Sequence, residues 1–160
     1  MHAIAALNLP RRRGMRPNTS TVLPHRLLDQ WPPPELLDLL RERCLAFEDV
    51  KCRHSRLANS STAALCLPDR LANGPVEAFL DAHEFCHLHG ESDGSIHLTL
   101  PKELGEAAIA LEWAEQHLLA RAGLLPGNVL LVYPPRDADE LEIVLQLVKS
   151  SSEFARGSET

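Results

Sequence analysis

The sequence contains no run of roughly 18 consecutive apolar residues, the length that a membrane-spanning helix needs. It also contains no Cys-x-x-Cys pair, because its four cysteines are scattered along the chain. This spacing argues against a disulfide framework and favours reduced, buried thiols. The apolar stretch at the N-terminus precedes its arginines, which is the reverse of the order in a secretory signal. We therefore expect a cytoplasmic protein without a membrane partner.

Acidic residues are absent from residues 1–26, although they dominate the rest of the chain. That stretch holds five of the 16 lysines and arginines, which leaves 11 basic against 22 acidic residues downstream. Phosphate backbones are bound by clustered basic residues, so the acidic body argues against a nucleic-acid partner. Residues 1–26 also lack periodicity and are predicted to form a mobile basic tail. A single domain is predicted over residues 27–157.

Hydrophobic periodicity predicts helices and strands in irregular order. Helices are predicted over residues 35–47, 76–82 and 102–115, and from a cap at Asp137 onward. Strands are predicted at residues 49–56 and 62–68, joined by a turn at 59–61, and at residues 85–89, 95–100 and 129–133. Because strands and helices do not alternate steadily, we expect an α+β fold with a mostly antiparallel sheet of about five strands and helices packed on one face.

Four of the eight histidines lie between residues 83 and 97. One interpretation is the zinc-peptidase pattern HExxH, formed by His83, Glu84 and His87. In that pattern a helix presents both histidines to zinc and the glutamate acts as general base. The interpretation requires His83 and His87 to lie on a helix, and the methionine that metzincins need downstream is absent.

A second interpretation places the same histidines on a β-hairpin. Alternation then puts Phe85, His87, His89 and His97 on one face, with His87 opposite His97. Three neutral imidazoles can hold a divalent metal, and an imidazole can also act as general base near neutral pH. The structural alternative is a solvated hairpin face. Three histidines in register beside Phe85 favour a small-molecule pocket.

Several residues near the hairpin have structural alternatives to a functional role. Glu84 interrupts the apolar face of the hairpin, so it lies either at the sheet edge or against a histidine. Asp93 is predicted to shape the turn. Trp113 is predicted to belong to the core, and His25 and His54 are predicted to be spectators.

The order and spacing of several short motifs resemble the luciferase-domain family, whose best-understood members are the luciferases of bioluminescent fungi. The resemblance covers roughly residues 45–157 and is clearest from Glu84 onward. The motifs are Glu84-x-x-His87-x-His89, Asp93, His97-Leu98-x-Leu100, Trp113 four residues before His117, Val132-Tyr133-x-Pro135-Arg136, and an acidic helix that ends near Phe154-Ala155.

The resemblance implies an oxygenation related to that of the fungal enzymes, without light emission. Those enzymes add dioxygen to a hydroxylated pyrone without flavin or nucleotide, so a small phenolic or pyrone-type substrate and molecular oxygen are expected, and no cofactor is favoured. The candidate catalytic residues are Glu84, His87, His89, His97, His117 and Arg136. Arg136 either faces the pocket or makes a surface ion pair with a neighbouring acid.

Three alternatives stay open at this stage. The domain could bind a small molecule without catalysis. It could be a zinc hydrolase that uses His83, Glu84 and His87. A divalent metal could also be held by His87, His89 and His97.

Overall fold

The computed structural model describes residues 7–54, 62–90 and 93–158. The turn predicted at residues 59–61 lies outside these ranges. The described strands are β1 (Lys51–His54), β2 (Ala63–Cys66), β3 (Glu84–Leu88), β4 (Ile96–Thr99), β5 (Ala114–Gln116) and β6 (Val129–Val132). The described α-helices are α1 (Pro34–Leu45), α2 (Lys102–Ala110), α3 (Leu118–Arg121) and α4 (Ala138–Arg156). The helix predicted over residues 76–82 is only a 3₁₀ turn at Val76–Ala78.

The strands form one antiparallel sheet in the order β1-β2-β3-β4-β6-β5. One face of the sheet carries the main apolar core, against which α4 packs, with α1 packed on α4. The predicted α+β class with a mostly antiparallel sheet is confirmed, with one strand more than expected. None of the helices in the described ranges is long and apolar enough to cross a membrane.

Helix α4 begins and ends as its sequence predicts. The Asp137 carboxylate accepts a hydrogen bond of 2.9 Å from the Glu140 amide and so caps the first turn. The helix ends at Gly157, whose φ of 76° is the left-handed conformation that glycine adopts most easily. Its predicted apolar face is buried against the sheet, with Leu141, Val144, Leu145 and Val148 all in the core.

The helix predicted over residues 102–115 is wrong beyond Ala110. Glu112 has a φ of 69° and reverses the chain, so the next residues form β5 and pair with β6. Trp113, at the turn, is buried and donates its indole N–H to the carbonyl oxygen of Pro10. Pairing with the edge of β6 and burial of Trp113 stabilise the observed structure more than local propensity stabilises a helix.

Residues 7–33, here called the N-terminal segment, start with Leu7 and Leu9 against the main core and then cross to the opposite face of the sheet. Leu27 packs there with Leu131 and Tyr133 in a second apolar cluster. Arg12 is 2% exposed, and its guanidinium carbon lies 5.2 Å from the centroid of the Tyr133 ring. The sheet is therefore covered by helices on one face and by the N-terminal segment on the other.

A mobile basic tail is expected over residues 1–26, but residues 7–26 make specific contacts with the rest of the protein. Arg13, for example, forms ion pairs with Asp137 and Glu140 at the start of α4. Three arginines of the segment, Arg11, Arg13 and Arg16, contact carboxylates or backbone carbonyls on the acidic body, which explains why this stretch orders without an apolar pattern of its own.

The Glu115 carboxylate on β5 anchors the N-terminal segment. It accepts hydrogen bonds from His25 at 3.0 Å, from Thr19 at 2.8 Å and from Tyr133 at 3.0 Å. Burial alone would raise the pKa of Glu115, but these hydrogen bonds outweigh it and lower the pKa to about 2. The charged carboxylate therefore stabilises the folded chain.

Replacing Glu115→Gln is expected to lower the free energy of unfolding by about 1–3 kcal/mol at about pH 7, because these three donors, and Arg121 as a fourth, lose a charged acceptor. The folded pKa lies below the unfolded value, so this stabilisation is complete above about pH 5 and is lost as the pH falls toward 2. The difference between wild type and variant should therefore shrink on acidification. Urea unfolding across this pH range measures it.

The matched control is Glu106→Gln, which changes an exposed glutamate on α2 and should alter stability little at any pH. A Glu115→Gln variant with a pH-independent loss of stability would contradict the proposed anchor.

Candidate functional site

The β3–β4 hairpin and the N-terminal segment together build a buried cluster of histidines. His87 lies directly opposite His97, as alternation predicts, and their ring centroids are 4.7 Å apart. Two further centroids lie close to the His97 ring, that of His89 at 4.4 Å and that of His117 at 4.8 Å. His25 completes the group, 5.1 Å from His117. We call these five residues the histidine cluster.

His25 is the member that the sequence analysis missed. It lies in a stretch without periodicity and belongs to no motif, so a spectator role was the expectation. In the structure its side chain is fully buried between His97 and His117. Only the fold of the N-terminal segment over the sheet brings it there.

A β-bulge in β3 brings Glu84 onto the histidine face. Cys86 is opposite Leu65 of β2 and Glu84 is opposite Cys66, the next residue of β2. Phe85 is therefore an extra residue in β3. The Phe85 side chain lies in the main core instead of beside the histidines, so its predicted position is wrong. Because the bulge shifts the alternation by one residue, Glu84 can reach His87, and this is the second of the two positions considered for it.

The outward-facing nitrogen of each hairpin histidine has an oxygen partner. His87 Nδ1 is 2.9 Å from a carboxylate oxygen of Glu84. His89 Nδ1 is 3.2 Å from a carboxylate oxygen of Asp93 and 2.8 Å from the Ser95 hydroxyl. Asp93 also accepts hydrogen bonds from the amides of residues 27 and 95, so it shapes the turn as expected and orients His89 as well.

The inner nitrogens of His87 and His97 face each other. His97 Nε2 donates to the carbonyl oxygen of His25 at 2.9 Å, which leaves a lone pair at Nδ1 when the ring is neutral. That Nδ1 is 2.9 Å from His87 Nε2. A neutral His87 has one N–H to serve two acceptors, His97 and Glu84. This chain of contacts therefore needs one cation, a proton or a metal ion, beyond a carboxylate and two neutral imidazoles.

Burial disfavours the charged form of three of the five imidazoles, those of His87, His97 and His117. It lowers the pKa of His97 well below the ordinary value, and the neighbouring histidines lower it further. Burial also lowers the pKa of His87, although the Glu84 carboxylate opposes the shift. The pKa of His117 is lowered to about 4, by burial first and by His25 second. At neutral pH these rings are acceptors or neutral donors.

The neutral form of His117 is a fixed tautomer. Its Nδ1 accepts a hydrogen bond of 3.1 Å from the amide of Leu119, so the ring caps α3. The single proton of the neutral ring is therefore on Nε2, which is a donor.

Two predicted site residues lie outside the cluster. The Arg136 guanidinium is held by Glu140, at 2.6 Å and 3.0 Å, so its ion-pair alternative is the one observed. His83 precedes β3 and lies 3.4 Å from Asp69. The helix that the zinc-peptidase interpretation requires is absent there, because Glu84–Leu88 is a strand, so that interpretation is wrong in its geometry.

Within the described ranges, His87, His89 and His97 form a group that could hold a metal ion, with one ligand nitrogen from each lying within 4.8 Å of the others.

A separate cleft of about 670 Å³ lies beside α2. It is lined in part by Leu100 and Leu130, which belong to the main core, and none of the cluster histidines lines it. The cleft is therefore distinct from the histidine cluster.

Comparison with known proteins links the cluster to a family. A family model described as the luciferase domain matches residues 82–151. Two curated proteins named luciferase, from Armillaria gallica and Armillaria ostoyae, are each 26% identical to this chain over 162 residues, which is 90% of this chain and 60% of the relative. The chain thus spans less than two thirds of the length of these relatives. No solved structure matches it significantly.

We expect His97 and His117 to be Nε2–H tautomers in solution, because one donates to a carbonyl through Nε2 and the other accepts through Nδ1. Long-range ¹H–¹⁵N correlation spectra of protein labelled with ¹⁵N-histidine distinguish the two tautomers. His83 lies outside the cluster and is partly exposed, and it serves as the internal reference. An Nδ1–H form of His117 would contradict its contact with Leu119.

Proposed function

We propose that this chain, a member of the luciferase-domain family, is an oxygen-using enzyme that oxygenates a small phenolic or pyrone-type substrate at the histidine cluster. The observation that supports this most is the cluster itself, since four of its five histidines lie within residues 82–151, the part that matches the family. Buried imidazoles with oriented rings can supply the proton acceptor and the N–H donor of such a reaction.

The proposed reaction begins with loss of a proton from an enolic or phenolic hydroxyl of the substrate. The resulting anion is electron-rich at a ring carbon, and that carbon forms a bond to dioxygen. The substrate is oxidised by two electrons and dioxygen is reduced to the peroxide level. A proton returns to the distal oxygen, so the sum is substrate plus dioxygen giving a hydroperoxide, with no external reductant.

His89 is the candidate for the proton acceptor. Its Nδ1–H points to Asp93, whose pKa is lowered because hydrogen bonds from His89 and Ser95 outweigh the effect of burial. The charged Asp93 therefore fixes the tautomer in which His89 Nε2 carries the lone pair. His89 is also the most exposed of the three hairpin histidines, which favours access for a substrate.

His117 is the candidate for stabilising the anion. Its Nε2–H is not needed by the helix cap, which uses Nδ1. A neutral N–H donor beside a developing oxyanion lowers the energy of the charged intermediate without carrying a charge that must be desolvated.

We expect oxygen consumption with at least one compound of a panel of hydroxylated pyrones and polyphenols, measured with an oxygen electrode. Replacing His89→Gln should lower the rate on the order of 100-fold, the size of a typical general-base contribution. His83→Gln changes a histidine outside the cluster and is the matched control, so it should leave the rate unchanged.

Two outcomes would count against the proposal. Tight binding of a panel compound without oxygen uptake would indicate a non-catalytic binding domain. Equal rates for His89→Gln and the wild type would remove His89 from the reaction.

A further inference from the structure

The three hairpin histidines share a geometric property. Each has its outer nitrogen bound to an oxygen acceptor: Glu84 for His87, Asp93 for His89 and the His25 carbonyl for His97. When each outer nitrogen carries the proton, the lone pairs lie on the inner nitrogens.

We propose that His87, His89 and His97 bind one divalent first-row transition-metal cation of the zinc class. The ligand atoms are His87 Nε2, His89 Nε2 and His97 Nδ1. Nothing about a substrate enters this assignment, so it stands apart from the proposed oxygenation.

The short contact between two inner nitrogens is the first reason. His87 Nε2 and His97 Nδ1 are 2.9 Å apart, and two lone pairs at that distance repel unless a cation lies between them. Two imidazoles on a tetrahedral zinc ion, with bonds of about 2.0–2.1 Å, place their nitrogens roughly 3.3–3.4 Å apart. The pair therefore has to separate by only a few tenths of an ångström.

The position of the third ring is the second reason. The His89 ring is stacked on the His87 ring, with an interplanar angle of 6°, and its centroid lies 4.4 Å from that of His97. One ring nitrogen from each of the three histidines lies within 4.8 Å of the others, so the three can converge on one ion when the rings rotate.

The oxygen partners around the ligands are the third reason. Histidines that bind metals characteristically donate their other N–H to a carboxylate or a backbone carbonyl. Here two of the partners are the carboxylates of Glu84 and Asp93 and the third is a backbone carbonyl. Glu84 and His87 are both nearly fully buried, so the contact that orients His87 is shielded from water.

Three imidazole ligands leave a fourth position open, as in catalytic zinc sites. Bound there, the cation would act as a Lewis acid and lower the pKa of a coordinated hydroxyl. This last link rests on the proposed function, and in the metal-bound protein the role given to His89 would pass to the cation.

The full chain is first treated with a chelator to remove bound metal. It is then titrated with Zn²⁺, and binding is measured by isothermal titration calorimetry. The wild type should bind one equivalent. His89→Gln and His97→Gln should each weaken binding by at least about 100-fold, since each removes one of three ligands. Glu84→Gln should weaken it about 10- to 100-fold by releasing the orientation of His87. His83→Gln is the control and should bind as the wild type does.

His89→Gln is the principal variant because His89 is the least buried of the three ligands, and circular dichroism confirms that each variant is folded. Co²⁺ provides a second readout, since visible absorption bands of tetrahedral Co²⁺ should appear in the wild type and in His83→Gln. No bound Zn²⁺ in the wild type, or undiminished binding in both ligand variants, would overturn the site. Zn²⁺ binding without oxygen uptake would support the site and contradict the proposed function, and oxygen uptake without Zn²⁺ binding would do the reverse.

Discussion

A shortage of N–H donors along one buried chain of contacts governs the histidine face of this protein. The chain runs from the Glu84 carboxylate through His87 and His97 to the carbonyl of His25. Because the last acceptor is a carbonyl, a neutral His97 donates to it and can only accept at its other nitrogen. His87 then has a single N–H for two acceptors, His97 and Glu84. A buried mismatch of this kind is costly, and one added cation, a proton or a metal ion, resolves it.

Two irregular features of the backbone create that chain. The bulge at Phe85 rotates Glu84 to the histidine side of the sheet, while Phe85 itself fills the core beneath the helices. The N-terminal segment, held by the Glu115 carboxylate, supplies the final carbonyl and a fifth ring. Neither feature is needed to form the sheet. Both are needed to form the site, which is where departures from regular structure are expected.

The parts that could be predicted from sequence are those that a single periodicity controls. The apolar stripe and Asp137 cap of α4, and the pairing of His87 with His97, follow from periods of 3.6 and 2.0. The bulge could not be predicted, since one inserted residue reverses the alternation without leaving a mark in composition. His25 could not be predicted either, because its position depends on contacts with distant strands. Strand β5 was mistaken for the end of a helix, since pairing with β6 overrides local propensity.

The burial of His25 affects how relatives of this protein should be compared. The match to the family begins at residue 82, whereas the carbonyl that fixes His97 belongs to residue 25. An alignment restricted to the matched region would retain His87, His89 and His97. It would omit the His25 carbonyl, which orients His97. A shortened protein beginning at Leu27 would likewise contain the residues of all six described strands, yet Nε2 of His97 would lose its carbonyl acceptor. The histidine cluster therefore includes a residue outside the region that matches the family model.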